Sequence, residues 1–262
     1  MNNIENFDTH SHIQDVQFDS DREAVLLRMK EKGIGAVVAG ADWQMNDDGV
    51  ALAQAHENLW ATVGLHPVEG SVTSFDGPRL RALAAHPKVV GIGECGLDYF
   101  YKPKSEVFEM QRGLFREQLE IARDLKKPVM VHIRPTKGVR DDAYLDALPI
   151  LDEFPEVKGN IHFFAGTWPL AQEFLKRGFT LSFTGVITFA REYDEVIKNM
   201  PLDMLMAETD CPYVAPLPHR GKRNEPGYLI EVVRKIAEIR GEDLETVRNA
   251  LLNNTRRIWL GA

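Results

Sequence analysis

The chain has 262 residues, of which 44% are hydrophobic and 27% are charged, and it carries a formal net charge of −8. This length fits one large α/β barrel or two small domains, and an acidic chain disfavours a protein that binds nucleic acid through phosphate contacts alone. Two cysteines, Cys95 and Cys211, do not suggest a framework of disulfides. Because the sequence shows neither a recognisable secretory leader nor a membrane-spanning apolar run, we expect a cytoplasmic protein with no membrane partner.

Segments with strand character and segments with helical periodicity alternate along the chain. The predicted strands cover residues 4–8, 35–40, 60–64, 89–93, 128–131, 159–163, 179–183 and 204–207. The predicted helices cover residues 20–32, 46–58, 80–85, 106–125, 142–154, 170–177, 192–199, 228–240 and 244–252. Strands that are short and apolar on both faces are typical of a buried parallel sheet. Eight strand–helix units predict a (β/α)8 TIM barrel over residues 1–262; a doubly wound open sheet is the alternative, disfavoured because no dinucleotide-binding glycine motif follows the first strand.

Side chains that commonly bind metals follow several of the predicted strands. His10 and His12 come at the end of the first strand, and residues two apart in a strand point to the same face. Catalytic residues of a barrel lie at the carboxyl ends of its strands, where imidazoles and carboxylates together can bind divalent cations. The candidates at these ends are His10, His12, Glu94, His132, His162 and Asp210. The sequence therefore predicts a metal site at the C-terminal ends of the strands.

Six short motifs occur in a fixed order along the chain. They are Asp-Thr-His-Ser-His at 8–12, Gly-Leu-His-Pro at 64–67, Gly-Glu-Cys-Gly-Leu-Asp-Tyr at 93–99, His-x-Arg at 132–134, His-Phe-x-x-Gly at 162–166 and Glu-Thr-Asp-x-Pro-Tyr at 208–213. In this order they resemble the TatD family of metal-dependent deoxyribonucleases, as do the segments 220–226 and 253–255. The resemblance covers essentially the whole chain.

The resemblance implies two divalent metal ions, which in this family are magnesium, manganese or zinc. His10, His12 and Asp210 would hold one ion, and Glu94 would bridge. His132 and His162 would either hold a second ion or complete the ligand set of the first. The implied activity is hydrolysis of DNA phosphodiester bonds by metal-activated water, with Glu94 and Asp210 as catalytic residues, in the manner of a 3′–5′ exodeoxyribonuclease acting on single-stranded ends.

Further residues are candidate substrate contacts, with DNA as the expected partner of a monomeric enzyme. The candidates are His66, Arg134, Arg220, Lys222 and Arg223. His66 lies at a strand end, and Arg134 shares a face with His132, so both are placed to reach a phosphate. For the basic loop 220–223 the alternative is a solvated loop with no role in binding. Tyr213 could stack on a base, or it could be an ordinary aromatic residue at the rim of the site. Near strand four, Asp98 is expected to support a ligand.

Two other functions fit the same residues. One is a barrel metallohydrolase of a small ester, lactone or amide, because the same ligands suit attack on a carbonyl and a fold does not determine the substrate. The other is a metal-binding scaffold subunit with little catalysis. A basic and aromatic rim around the site would favour DNA, whereas a closed apolar pocket would favour the small substrate.

Overall fold

The computed structural model describes residues 4–71 and 73–261, and it contains eight parallel strands, each paired with the next in chain order. The strands are β1 (Asn6–Ser11), β2 (Ile34–Ala39), β3 (Leu59–Val63), β4 (Val89–Asp98), β5 (Val129–Arg134), β6 (Gly159–Ile161), β7 (Thr180–Phe183) and β8 (Leu205–Ala207). Backbone hydrogen bonds from Asp210 to His10 and from His12 to Cys211 join the end of β8 to β1. The strands therefore form a nearly closed ring, and the predicted (β/α)8 TIM barrel is confirmed.

Helices follow the strands and surround the ring. They are α1 (Arg22–Glu31), α2 (Trp43–Ala55), α3 (Gly77–Ala84), α4 (Lys104–Leu125), α5 (Asp142–Asp152), α6 (Trp168–Lys176), α7 (Asp194–Asn199), α8 (Leu229–Arg240) and α9 (Leu244–Thr255). The ends of several helices follow from local sequence: Asp42 accepts a hydrogen bond from the backbone of Met45 at the start of α2, and Gly241 ends α8 in a left-handed conformation. Among the described helices, none is both long and apolar enough to cross a bilayer.

Two hydrophobic clusters hold the barrel together. The larger one lies between the strands and the surrounding helices and contains the buried rings of Tyr99, Phe115 and Tyr144. The smaller one joins side chains from β1, β2, β3, β5 and β8, which places it inside the ring because strands that are not neighbours can meet only there. Its members are Phe7, Val37, Ala39, Trp60, Met130, Met206, Leu252 and Trp259. The wall of the barrel is thus packed on both faces, as the apolar strands predicted.

The strands β1, β4 and β5 extend further towards their carboxyl ends than the sequence pattern predicted, whereas β6 ends two residues earlier, before His162. β4 ends at Asp98 instead of residue 93, so that Glu94 lies within the strand, and its register against β5 shifts between Ile92 and Cys95. Gly96 pairs with His132 at a positive φ, and a Cβ at this position would overlap the carbonyl oxygen of His132. Glycine is needed here because β4 and β5 approach too closely for any side chain.

Candidate active site

A cleft of about 760 Å³ opens at the carboxyl ends of the strands. Its lining includes His12, His66, Glu94, Asp98, His132, Arg134, His162, Asp210, Tyr101 and Tyr213. Only His10 of the six predicted ligands is absent from the lining, because its side chain is fully buried. We call the six predicted ligands the His/carboxylate cluster, and the structure brings all of them to one end of the barrel.

One group of ligand atoms lies where β1 meets β8. The Nε2 atoms of His10 and His12 are 3.0 Å apart, and Oδ1 of Asp210 lies 3.5 and 3.6 Å from them. One oxygen of Glu94, Oε2, lies 3.6 and 3.7 Å from the same two nitrogens. Four ligand atoms from three separate parts of the chain thus surround one small volume, which suits a divalent ion.

A second group of ligand atoms surrounds the other oxygen of Glu94. Oε1 lies 2.9 Å from Nδ1 of His132 and 3.1 Å from Nε2 of His162, and Nε2 of His66 is 3.7 Å away. The carboxylate of Glu94 therefore faces a different set of ring nitrogens with each of its two oxygens. His66, which the sequence suggested as a substrate contact, also lies within reach of a metal bound by this group.

His12 and His132 each have one ring nitrogen that points away from the cluster, and the hydrogen-bond partner of that nitrogen shows whether the other nitrogen is free to bind a metal. Nδ1 of His12 lies 3.0 Å from the backbone carbonyl of Ala39, which can only accept a hydrogen bond. The neutral ring therefore carries its proton on Nδ1, and the bare Nε2 faces the cluster. Nε2 of His132 lies 2.9 Å from the Asp98 carboxylate, which leaves Nδ1 directed at Glu94. Outer partners that orient an imidazole in this way are typical of metal-binding histidines, so the cluster fits divalent ions.

Glu208 is a buried carboxylate that sequence reasoning passed over. It accepts hydrogen bonds from Nδ1 of His162 at 3.1 Å, from the backbone of Phe163 at 2.7 Å and from the hydroxyl of Ser182. It thereby orients the ring of His162 as Asp98 orients that of His132. The available signal was the position of Glu208 directly after strand eight, two residues before the predicted ligand Asp210.

Burial and charge shift the pKa values of the cluster in opposite directions. Burial raises the pKa of Asp210 to about 6, against the lowering effect of His162 and His12. Burial would also raise the pKa of Glu94, but the nearby His162 and His10 outweigh it and hold this pKa well below its usual value. For His162, burial alone would lower the pKa, yet Glu208 and Glu94 raise it well above the ordinary value. Negative and positive charge thus compensate each other inside the site.

These shifts predict how metal binding depends on pH. Metal binding requires the ionised form of Asp210, so below its pKa of about 6 a proton competes with the ion and the affinity falls. The raised pKa values of His132 and His162 act in the same direction, because a protonated imidazole cannot bind a metal. We therefore expect the affinity of the metal-free protein to rise with pH through 6 and to keep rising until both imidazoles are neutral.

Equilibrium dialysis at a fixed free metal concentration between pH 5 and 8, with metal content measured in the protein, checks this expectation. Asp210→Asn serves as the comparison, since the variant lacks the carboxylate that titrates near pH 6. A metal affinity that does not change between pH 5 and 7 would contradict the expectation.

The loop that carries Asp210 is held from both sides. The buried carboxylate of Asp8 accepts a hydrogen bond from the backbone of Thr209 at 2.9 Å. The buried amide of Asn224 donates to the carbonyls of Thr209 and Tyr213, at 2.8 and 2.7 Å. Asp210 itself has a φ of 53°, in the left-handed region that aspartate tolerates better than most residues. The segment 220–226 thus braces the loop of a predicted ligand.

The predicted substrate contacts lie in two different environments. His66 and Arg134 line the cleft, whereas the basic residues of the long loop after β8 do not belong to its described lining. Arg223 makes two hydrogen bonds of 2.7 Å to Asp21, and the guanidinium of Arg220 lies 4.0 Å from the ring of Phe189. Arg220, Lys222 and Arg223 thus lie in the loop after β8, outside the described lining of the cleft. Their role in substrate binding stays a prediction.

The motifs, the barrel and the cluster agree with the comparison to known families, in which the model of the TatD related DNase family matches residues 7–260. The chain belongs to the TatD family. A relative from Bacillus subtilis (strain 168), named uncharacterized metal-dependent hydrolase YabD, is 37% identical over 259 residues, covering 97% of this chain and 98% of its own. The 3′-5′ ssDNA/RNA exonuclease TatD of Cronobacter sakazakii is 35% identical over 267 residues and covers 97% of each chain.

A solved structure supports the same assignment. The TatD homologue YjjV from Escherichia coli K12 superposes with a TM-score of 0.87 at 29% identity, covering 98% of each chain. The predicted family and barrel fold are therefore confirmed, and the chain is a metal-dependent hydrolase that acts on ester bonds. The relatives of this chain include proteins named as exonucleases and proteins named only as metal-dependent hydrolases.

Proposed function

We propose that the protein hydrolyses phosphodiester bonds of single-stranded nucleic acid, from the 3′ end, with two divalent ions. The observation that carries the proposal is the carboxylate of Glu94, whose two oxygens face two separate groups of ring nitrogens. Two metal ions on either side of one carboxylate suit the in-line displacement of a phosphodiester. The name of the Cronobacter sakazakii relative, a 3′-5′ ssDNA/RNA exonuclease, supports the polarity and the substrate.

Within this proposal the cluster divides into two ligand sets. His10, His12 and Asp210 would hold one ion, His132 and His162 would hold the other, and Glu94 would contact both. Magnesium, manganese or zinc bound there would activate a water molecule and neutralise charge on the phosphoryl oxygens. The chain supplies the orientation of the imidazoles through Asp98 and Glu208, as the hydrogen bonds to His132 and His162 indicate.

Two residues at the cleft would act directly on the reacting groups. The carboxylate of Asp210 lies at the edge of the first ligand group and, with a pKa of about 6, is ionised at neutral pH, so it can accept the proton of the attacking water. Arg134 lines the cleft two residues beyond His132, and its guanidinium is placed to bind a phosphate of the substrate. His66, whose Nε2 lies 3.7 Å from Oε1 of Glu94, would contact either the substrate or the second ion.

The experiment is digestion of an end-labelled single-stranded oligonucleotide with magnesium, manganese or zinc, and with a chelator. Metal-dependent shortening from the 3′ end, absent with chelator and absent from a Glu94→Gln preparation, is the expected result. Lack of cleavage by folded, metal-loaded protein would overturn the proposal. Hydrolysis of small esters, lactones or amides by the same preparation would then assign the cleft to a small substrate, and loss of both activities would favour the scaffold function.

The same proposal includes the setting in which the enzyme works. We propose a cytoplasmic, monomeric protein that folds as one domain over residues 1–262. Both cysteines, Cys95 and Cys211, are buried and unpaired, which agrees with a reducing compartment. Gel filtration with light scattering would check the monomer, and a dimer would contradict it.

A further inference from the structure

Exposed apolar side chains are concentrated at the end of the barrel where the cleft opens. Nine large hydrophobic residues are exposed in the described part of the chain, and six of them lie in loops that follow strands at the carboxyl end of the barrel. These six are Val16, Phe100, Tyr101, Val139, Tyr213 and Leu217. All three aromatic residues among the nine belong to this group. We call these six residues the apolar rim; two of them, Tyr101 and Tyr213, line the cleft itself, where exposed apolar surface is typical of a ligand-binding site.

One part of the rim is a stack of Arg134 on two aromatic rings. Arg134 follows His132 by two residues in β5, so it lies on the same face about 7 Å nearer the mouth. Its guanidinium lies 3.8 Å from the ring centre of Phe100 and 5.2 Å from that of Tyr101, and Nη1 donates a hydrogen bond of 3.2 Å to the Tyr101 hydroxyl. These contacts hold the ring of Tyr101 in place although 65% of the residue is exposed.

A second aromatic residue follows a strand on the other side of the barrel. Tyr213 is 51% exposed, and its ring packs edge-on against His12 at a centroid distance of 6.4 Å. Tyr213 follows β8, next to β1, whereas Tyr101 follows β4, next to β5. In a ring of eight strands these two places are half a turn apart. The loops that carry the two exposed tyrosine rings therefore leave the barrel on opposite sides of the His/carboxylate cluster.

We propose that Tyr101 and Tyr213 are stacking surfaces for the two bases that flank the cleaved phosphodiester, with Arg134 binding the phosphate beside the base on Tyr101. The inference rests on the proposed function and extends it to the substrate's shape. Stacking on aromatic rings tolerates any base sequence, because every base has a π face. Bases in a duplex already stack on both faces and are paired, so two separated rings select unpaired nucleotides. The ligand is thus a single strand with a base on each side of the scissile bond.

The test is a double-mutant cycle in which a tyrosine ring of the protein, a base of the substrate, or both are removed. A fluorescein-labelled oligothymidylate is compared with two versions that carry an abasic residue on one or the other side of the 3′-terminal phosphodiester. Dissociation constants are measured in chelator, where no cleavage occurs, and kcat/KM values are measured with metal. We expect Tyr101→Ala to weaken binding roughly 5- to 100-fold, the range for loss of one base–aromatic stack, and Tyr213→Ala to do the same.

The position of the missing base then identifies each subsite. Each alanine variant should lose the preference for a base at one position only, so that removing the ring and that base together costs no more than removing either one. Tyr101→Trp should retain the preference, and Leu27→Ala, an exposed apolar residue of α1 outside the cleft, should bind like the wild type. Arg134→Gln should lower the salt dependence of binding by about one phosphate contact.

The outcomes separate this inference from the proposed function. If the oligonucleotide binds with the predicted coupling between ring and base but no metal-dependent cleavage occurs, the stacking surfaces are supported and the nuclease activity is refuted. Cleavage with additive effects of ring and base, or with alanine variants that behave like Leu27→Ala, would refute the stacking surfaces and leave the nuclease intact. A wild-type protein that neither binds nor cleaves the strand would refute both.

Discussion

Glu94→Gln should reduce hydrolysis by about a thousandfold and lower the amount of metal that the protein retains. The substitution keeps the shape of the side chain but removes the charge from the one group that faces both sets of ring nitrogens. A metal ion contributes several kcal/mol to transition-state stabilisation, and each 1.4 kcal/mol is worth about a factor of ten in rate. Turnover with saturating metal and metal content after dialysis are the two measurements.

Two comparisons make the Glu94 result specific. Glu120→Gln changes an exposed carboxylate on the outer side of α4 and should leave activity and metal content unchanged. Circular dichroism should show the variant still folded, because the amide can retain contacts with the surrounding imidazoles. Full turnover of Glu94→Gln with normal metal content would remove Glu94 from the metal site and with it the arrangement on which the proposed function depends.

Glu208→Gln should weaken metal binding by 10- to 100-fold, the usual loss when a group that orients a metal-binding imidazole is changed. Glu208 is fully buried and its Oε1 accepts hydrogen bonds from Nδ1 of His162 and from the backbone of Phe163. In the variant the amide oxygen can still accept both of these hydrogen bonds, and the amide nitrogen can donate to the hydroxyl of Ser182, so the shape is kept while the negative charge beside His162 is lost. The nitrogen of His162 that faces Glu94 would therefore be less basic and would bind a metal more weakly.

Further variants separate positioning by Glu208 from a purely structural role. Glu208→Ala leaves three buried donors without their acceptor and should also destabilise the fold by about 3–5 kcal/mol. Asp98→Asn should weaken metal binding in the same way, because Asp98 orients the ring of His132. Metal affinity measured by chelator competition, together with denaturant unfolding, gives the two quantities. Normal metal affinity in Glu208→Gln, with only lowered stability, would show that Glu208 merely supports the fold.

The strand pattern located all eight strands but misplaced several of their carboxyl ends, including those of β4 and β5. β4 continues past residue 93 to Asp98, and β5 continues past residue 131 to Arg134. Glycines and polar side chains interrupt the apolar pattern at these ends, so the sequence alone resembled the start of loops. Pairing between Gly96 and His132 continues the ladder, and the absence of a side chain on Gly96 lets the two backbones approach. Such pairing is a property of two strands, not of either segment.

The residue types of the metal site could be predicted from the sequence, because the carboxyl ends of all the strands of a parallel barrel lie on the same side. Six residues from five of the six motifs could therefore be grouped without coordinates, and the family followed from the order of the motifs. What each group contacts required the structure. Arg223, which looked like a phosphate contact, is paired with Asp21, which lies 202 residues away in the chain.

The sequence by itself determined the barrel, the family and the identity of the six cluster residues, since repeating strand–helix units and the order of motifs are local features. Only the tertiary structure decided that Glu94 divides its two oxygens between two groups, that Glu208 orients His162 and that the loops of two exposed tyrosine rings leave the barrel on opposite sides. The physical reason is that these relations depend on the register shifts of β4 and on loop conformations, which set the direction of each side chain. Residues far apart in the chain meet only when the ring of strands is formed.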